Sequence, residues 1–162
     1  MLLPAPHIRP EGERIPADVA RFRIIEQHRG LRELLKTGLA LVARPPGDDG
    51  DARRELPALL ARTNQAFRCH LADEEALLLP ILNDDVPVGP WRITALLEEH
   101  RRQTAEIDAL CAPPPSCTAE ELAARYQKLA EALFADMDAE ERDLITPDVI
   151  RDDGVVIDQC SG

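Results

Sequence analysis

Six residues whose side chains can hold a metal ion fall where the apolar pattern of this chain expects hydrophobic ones: His28, His70, Glu74, His100, Asp136 and Glu140. His28 comes three residues after Ile25 and three before Leu31. His70 follows Phe67 by three, and Glu74 lies one helical turn further on. His100 follows Leu97 by three. Asp136 follows Leu133 by three, and Glu140 precedes Leu144 by four. A single histidine on an apolar face is ordinarily a core residue with one hydrogen bond. A single glutamate there is ordinarily an edge residue whose head reaches water. Three histidines and three carboxylates together are a different case, because burying several uncompensated carboxylates is expensive. A cation among them compensates the charge, and imidazole with carboxylate suits Fe, Mn or Zn.

Those six positions matter only if the chain brings them to one level. Prolines divide the sequence: Pro4 to Pro16, Pro45 and Pro46, Pro80 to Pro90, Pro113 to Pro115, and Pro147, with Pro57 standing apart. Proline ends helices or starts them at the first turn. The spacing predicts four amphipathic helices over 17–44, 51–79, 91–112 and 118–146, each with apolar residues at three- and four-residue steps. Examples are Phe22, Ile25, Leu31, Leu35 and Leu39 in the first, and Leu122, Tyr126, Leu129, Leu133 and Met137 in the fourth. Thr118-Ala119-Glu120-Glu121 reads as a capping box opening the fourth. Pro57 belongs to the first turn of the second helix or kinks it. The expected fold is all-α, an up-down-up-down antiparallel four-helix bundle over 17–147. Residues 1–16 read as an extended arm. Residues 148–162 read as a tail whose Val155-Val156-Ile157 forms a short strand or a packed end. His28 and His100 lie about ten residues into their helices, and His70 and Asp136 about ten before the ends of theirs. In an antiparallel bundle those four share one level, about 15 Å from one end, with Glu74 and Glu140 about 6 Å away.

Composition narrows the function. The chain has 162 residues, one domain's worth, and 44% of them are hydrophobic, enough for a packed core. One Trp, one Tyr and three Phe leave little for stacking on bases or sugars. Lys+Arg 19 against Asp+Glu 30 gives −11, so nucleic acid and anionic membrane are poor partners. No apolar run approaches the roughly 18 residues of a membrane span, and the N-terminus lacks a signal-peptide pattern. The four cysteines, Cys69, Cys111, Cys117 and Cys160, form no CxxC pair and read as reduced thiols. A cytoplasmic setting is expected.

The stretches Ile25-Glu26-Gln27-His28-Arg29, His70-Leu71-Ala72-Asp73-Glu74-Glu75 with Leu79-Pro80, Glu98-Glu99-His100-Arg101, and Asp136-Met137-Asp138-Ala139-Glu140-Glu141 with Pro147 resemble the hemerythrin-like, or HHE cation-binding, family. The resemblance covers about residues 20–147. It implies a four-helix bundle around a non-heme di-iron centre, two Fe ions with Mn or Zn as alternatives. His28, His70, His100 and Asp136 would be terminal ligands, and Glu74 and Glu140 bridges. Two departures stand out. Oxygen carriers of the family have a second histidine one turn after that of helix three, where this chain has Thr104. Asp136 stands where the family usually has histidine. Both point away from oxygen carriage, toward binding or sensing of O2, NO or iron, or repair of iron centres. One rival is a di-iron redox enzyme acting on O2 or peroxide. Another is a structural or regulatory bundle with a degenerate site. Glu75, Glu99 and Glu141 read as solvated helix faces, or else as partners of a neighbouring histidine. Tyr126 reads as core and His7 as part of the arm.

Overall fold

A computed structural model of the chain describes residues 16–44, 52–84 and 89–150. Four helices make it up: α1 (Ala17–Val42), α2 (Ala52–Asp84), α3 (Gly89–Cys111) and α4 (Ala119–Asp143). Each packs on its neighbours in chain order, and α1 closes the ring on α4. Cross-helix pairs show opposite senses. His28 of α1 meets Glu140 of α4 at one level, and Leu35 meets Tyr126 further along. Glu75 of α2 meets His100 of α3, while Asn64 and Arg68 meet Asp108. The expected antiparallel four-helix bundle is therefore what forms.

Local chemistry sets the helix limits. α1 begins right after Pro16, whose fixed φ suits a helix entrance, with Asp18 in the first turn favouring the dipole. Pro90 occupies the first turn of α3, where its missing N–H costs nothing. At α4 the capping box is complete: Glu121 N donates to Thr118 Oγ1 at 3.1 Å, and Thr118 N donates to Glu121 Oε2 at 2.8 Å. α2 departs from expectation, running through Pro80 to Asp84 instead of stopping at residue 79. Pro80 forfeits one backbone hydrogen bond, but Leu78 just before it is buried, with Leu77 and Leu79 packed on the same apolar cluster. That tertiary contact outweighs the local stop signal. Pro57 falls in the second turn of α2, past the tolerated first turn, and the helix continues through it.

The core is split into two apolar clusters. The larger includes Leu31, Leu35, Phe67, Ile107, Tyr126, Leu129, Leu133 and Met137. The smaller gathers Ala17, Ile24, Leu78 and Leu96 with Ile145 and Ile150, so the segment after α4 folds back over the bundle's end. Arg21 holds it there by donating to the Ile150 carbonyl. Between the clusters, in sequence order along every helix, lies a polar layer. The expected arm, apart from Pro16, and the Val155-Val156-Ile157 segment fall outside the described residues. Among the described residues no helix is long and apolar enough to cross a membrane, and Cys69, Cys111 and Cys117 are free thiols.

Candidate metal centre

Each helix delivers its polar residues inward at one level. α1 supplies His28, α2 supplies His70 and Glu74 one turn apart, α3 supplies His100, and α4 supplies Glu140. All five are buried, with His28 and Glu74 at 0% exposure. Their donor atoms form two overlapping groups whose members lie within 4.8 Å of one another: His28, His70 and Glu140, and Glu74, His100 and Glu140. Glu140 belongs to both. Glu74 Oε2 sits 3.4 Å from His70 Nε2 and 3.3 Å from His100 Nε2, so this carboxylate also stands between the two groups. His28 Nε2 lies 3.3 Å from Glu140 Oε2. The His28 and His70 rings meet edge to face, with centroids 4.8 Å apart.

The two nitrogens of each imidazole have different tasks. Every Nε2 faces inward and every Nδ1 is tied to an outer partner. His28 Nδ1 donates to Glu141 Oε1 at 2.9 Å, and Arg32 holds that carboxylate from the other side at 2.6 Å. His100 Nδ1 donates to Glu75 Oε1 at 2.9 Å. His70 Nδ1 reaches Gln27 Oε1 at 3.4 Å, while Gln27 Nε2 donates to Asp73 at 2.6 Å and Arg23 to the same oxygen. This arrangement fixes each tautomer with the Nε2 lone pair toward the centre, which is the form that binds a cation. Glu75 and Glu141, next in sequence to Glu74 and Glu140, are thus partners of histidines rather than solvated faces.

What the inward atoms lack is a partner. His28 Nε2, His100 Nε2, both oxygens of Glu74 and Glu140 Oε2 are buried without any hydrogen bond. So many orphaned donors and acceptors facing one point are rare in a folded protein. The ionisation of the layer shows the same frustration. Burial acts to lower the pKa of His100, but Glu74 and Glu75 outweigh it and push it up to about 9. His28 is likewise raised, against its burial, by Glu140 and Glu141. Burial, together with the charges of His28 and His100, pulls His70 down to about 3. Glu140 is raised by burial and by the nearby Glu74 charge. A cation would relieve both kinds of stress, so the residues present fit a metal.

Asp136, the sixth candidate, stands outside both groups. Its Oδ2 accepts from Gln103 Nε2, and it lines a cavity of about 10 Å³ beside His70. Burial, followed by the charge of Glu140, pushes its carboxyl up to about 6. Gln27 and Gln103 were not singled out by the sequence. Their only signal is position: Gln27 adjoins His28, and Gln103 follows His100 by three on the same helix face. Glu99 pairs with Arg102 and Gln103, not with a histidine. Tyr126 is core, its hydroxyl donating to the Leu35 carbonyl at 3.3 Å.

No curated protein and no solved structure gives a significant match to the chain. A family model does. The hemerythrin HHE cation-binding domain matches residues 20–146, a span that holds all four helices' inward donors, and the chain belongs to that family.

Proposed function

We propose that this protein holds two iron ions and uses them to sense or handle iron or a small diatomic ligand, O2 or NO, including donation of iron to damaged centres. The observation that carries the reading is the set of inward Nε2 and carboxylate atoms, buried and unpartnered, with each imidazole anchored from outside. His28, His70 and Glu140 would hold one ion, and Glu74, His100 and Glu140 the other. Imidazole mixed with carboxylate suits iron, with Mn or Zn as the next fits. Bound iron would supply redox and Lewis-acid chemistry. The chain's own part is to orient the imidazoles, balance the charge of the ions with carboxylates, and keep water out by the two apolar clusters. One half of the site has two imidazoles and the other only one, since Thr104 and Asp136 replace the histidines that oxygen carriers of the family use. This favours sensing or iron handling over reversible oxygen carriage. The free thiols and the lack of a spanning helix among the described residues suit a cytoplasmic setting.

The test is metal content with an absorption spectrum, taken without oxygen and again after exposure to air and to NO. Two irons per chain, with a spectrum that changes on exposure, support the reading. A protein purified under iron-replete conditions that holds no metal, and takes up none on titration, would sink it. The oxygen-rich half also favours a second reading, an enzyme that reduces O2 or peroxide. Catalytic turnover with peroxide would select that one.

A further inference from the structure

The two halves of the site are not alike, and the side chain that makes them differ is Gln103. It is 1% exposed, three residues after His100 on the same face of α3. Its Nε2 donates twice, to Glu99 Oε1 at 3.0 Å and to Asp136 Oδ2. Both acceptors are carboxylates, so the amide nitrogen is the atom that must face them. Its Oε1 is left buried with no partner. Glu99 is in turn held by Arg102, whose Nε donates to Glu99 Oε2 at 3.0 Å. A chain of hydrogen bonds thus runs from a surface guanidinium, through Glu99 and Gln103, to the half-buried Asp136.

We propose that Gln103 is a positioning residue that holds Asp136 out of the donor set, leaving the Glu74, His100 and Glu140 group as the weaker of two unequal metal positions. The inference rests on the metal-binding reading above and deepens it. Asp136 is the only further carboxylate on the inward face of α4 near the site, one turn before Glu140. The charge-assisted hydrogen bond to Oδ2 fixes the carboxylate where it lies outside both donor groups, and turning it toward a metal would strain or break that bond. Gln103 cannot easily release it, because its own amide is gripped from the far side by Glu99. The His28 half needs no such help, having two imidazoles and the shared carboxylates. The His100 half has one imidazole and relies on carboxylates that the first metal also uses. Nitrogen-rich and oxygen-rich donor sets differ in metal preference as well as affinity.

The experiment is anaerobic calorimetric titration of the metal-free full chain with Fe(II), with bound iron counted afterwards. Wild type should show two events of clearly different affinity. Asp136→Asn keeps the shape and can still accept from Gln103. It should keep both events and the count of two irons, each event weakened by about tenfold, as expected for the loss of one uncoordinated negative charge beside a dication. Gln103→Leu removes the grip on Asp136, and the second event should tighten about tenfold or more as a carboxylate joins it. The double variant should lose that gain. Two equal events in wild type, loss of the second event in Asp136→Asn, or no tightening in a folded Gln103→Leu would each overturn the proposal while leaving the metal site standing. If wild type takes up no iron at all, the metal-binding reading itself falls, and this inference with it.

Discussion

In the larger apolar cluster, Leu35, Phe67, Ile107 and Leu129 come from four different helices and meet with nothing left unsatisfied. One to three turns along the same helices, His28, His70, Glu74, His100 and Glu140 meet instead, equally buried, with five of their atoms unpartnered. Both regions are built on the same four helices. What differs is who completes the contact. The apolar layer is closed by the chain itself, so its stability belongs to folding alone. The inward atoms of the polar layer have no partner among the described residues, and a metal ion would close them. The first layer should therefore be indifferent to metal and the second governed by it, and that contrast can be broken by experiment.

The largest effect is expected from metal itself. A ligand that binds only the folded chain stabilises it by about 4 kcal/mol when present at about 1,000 times its dissociation constant. Chelation should therefore lower the melting temperature by many degrees, and restoring metal should recover it. His70→Ala and Glu140→Ala should melt low and respond little to added metal. A melting curve of wild type that a strong chelator leaves unmoved would show that the polar layer is not held by a cation.

A comparable loss should come from the apolar layer, with no dependence on metal. Gly38 of α1 passes so close to Tyr126 that an added Cβ would stand 2.0 Å from the hydroxyl oxygen and 2.3 Å from the ring carbon bearing it. Tyr126 has no room to retreat, being fully buried and bonded to the Leu35 carbonyl. Gly38→Ala should cost about 3 kcal/mol, the upper range for overpacking. The loss should be equal with and without metal, read as a difference in denaturant midpoints. A loss seen only in the metal-loaded protein would mean the two layers are coupled.

The two layers were not equally legible in the sequence. The apolar one was, because a period of three and four residues needs no knowledge of neighbours, except at Phe22, which the period put on the stripe of α1 and which is 65% exposed. The inward donors were legible for the same reason: they interrupt that period. The end of α2 was not, since Pro80 is a local stop signal and the packing of Leu78 that overrides it is a tertiary fact. The partners of the imidazoles were hidden too. Whether Glu141 faces His28 or solvent depends on how α1 and α4 are rotated against each other. Gln27 and Gln103 carry no sequence signal beyond adjacency, because an amide is equally at home on a surface.

Acidity separates the layers in a milder way. The folded pKa of His100 is about 9, above the usual value of about 6.5. Its contribution is therefore complete below pH 6.5 and lost as pH rises toward 9. His70, at about 3, is lowered. Its contribution is present above pH 6.5 and lost as pH falls toward 3. The metal-free protein should thus lose stability as pH rises from 6.5 toward 9, with a slope of at most about 1.4 kcal/mol per pH unit from His100, while below pH 6.5 the rise owed to His70 is opposed by the raised carboxyls of Asp136 and Glu140. Metal competes with the proton on His100, so loading should remove the alkaline decline. Stability of the metal-free chain that is flat from pH 6.5 to 9 would count against the raised His100 as described.

The smallest effect tests a third region, remote from both layers. Thr118 and Glu121 satisfy each other's backbone N–H groups at the start of α4, and no other described segment holds that helix end by side-chain caps. Thr118→Ala removes the bond to Glu121 N and should cost about 1 kcal/mol. Glu121→Ala removes the reciprocal bond and the favourable charge at the helix N-terminus, and should cost somewhat less. Because the box acts as a unit, the double variant should lose less than the two losses added together. Glu140 lies near the other end of α4, about 30 Å away along the helix axis at 1.5 Å per residue. Fraying the first turn should therefore leave the metal affinity unchanged while lowering the midpoint of unfolding. A loss of metal affinity in Thr118→Ala would show that α4 transmits order along its whole length, and that the polar layer depends on more of the bundle than the residues that surround it.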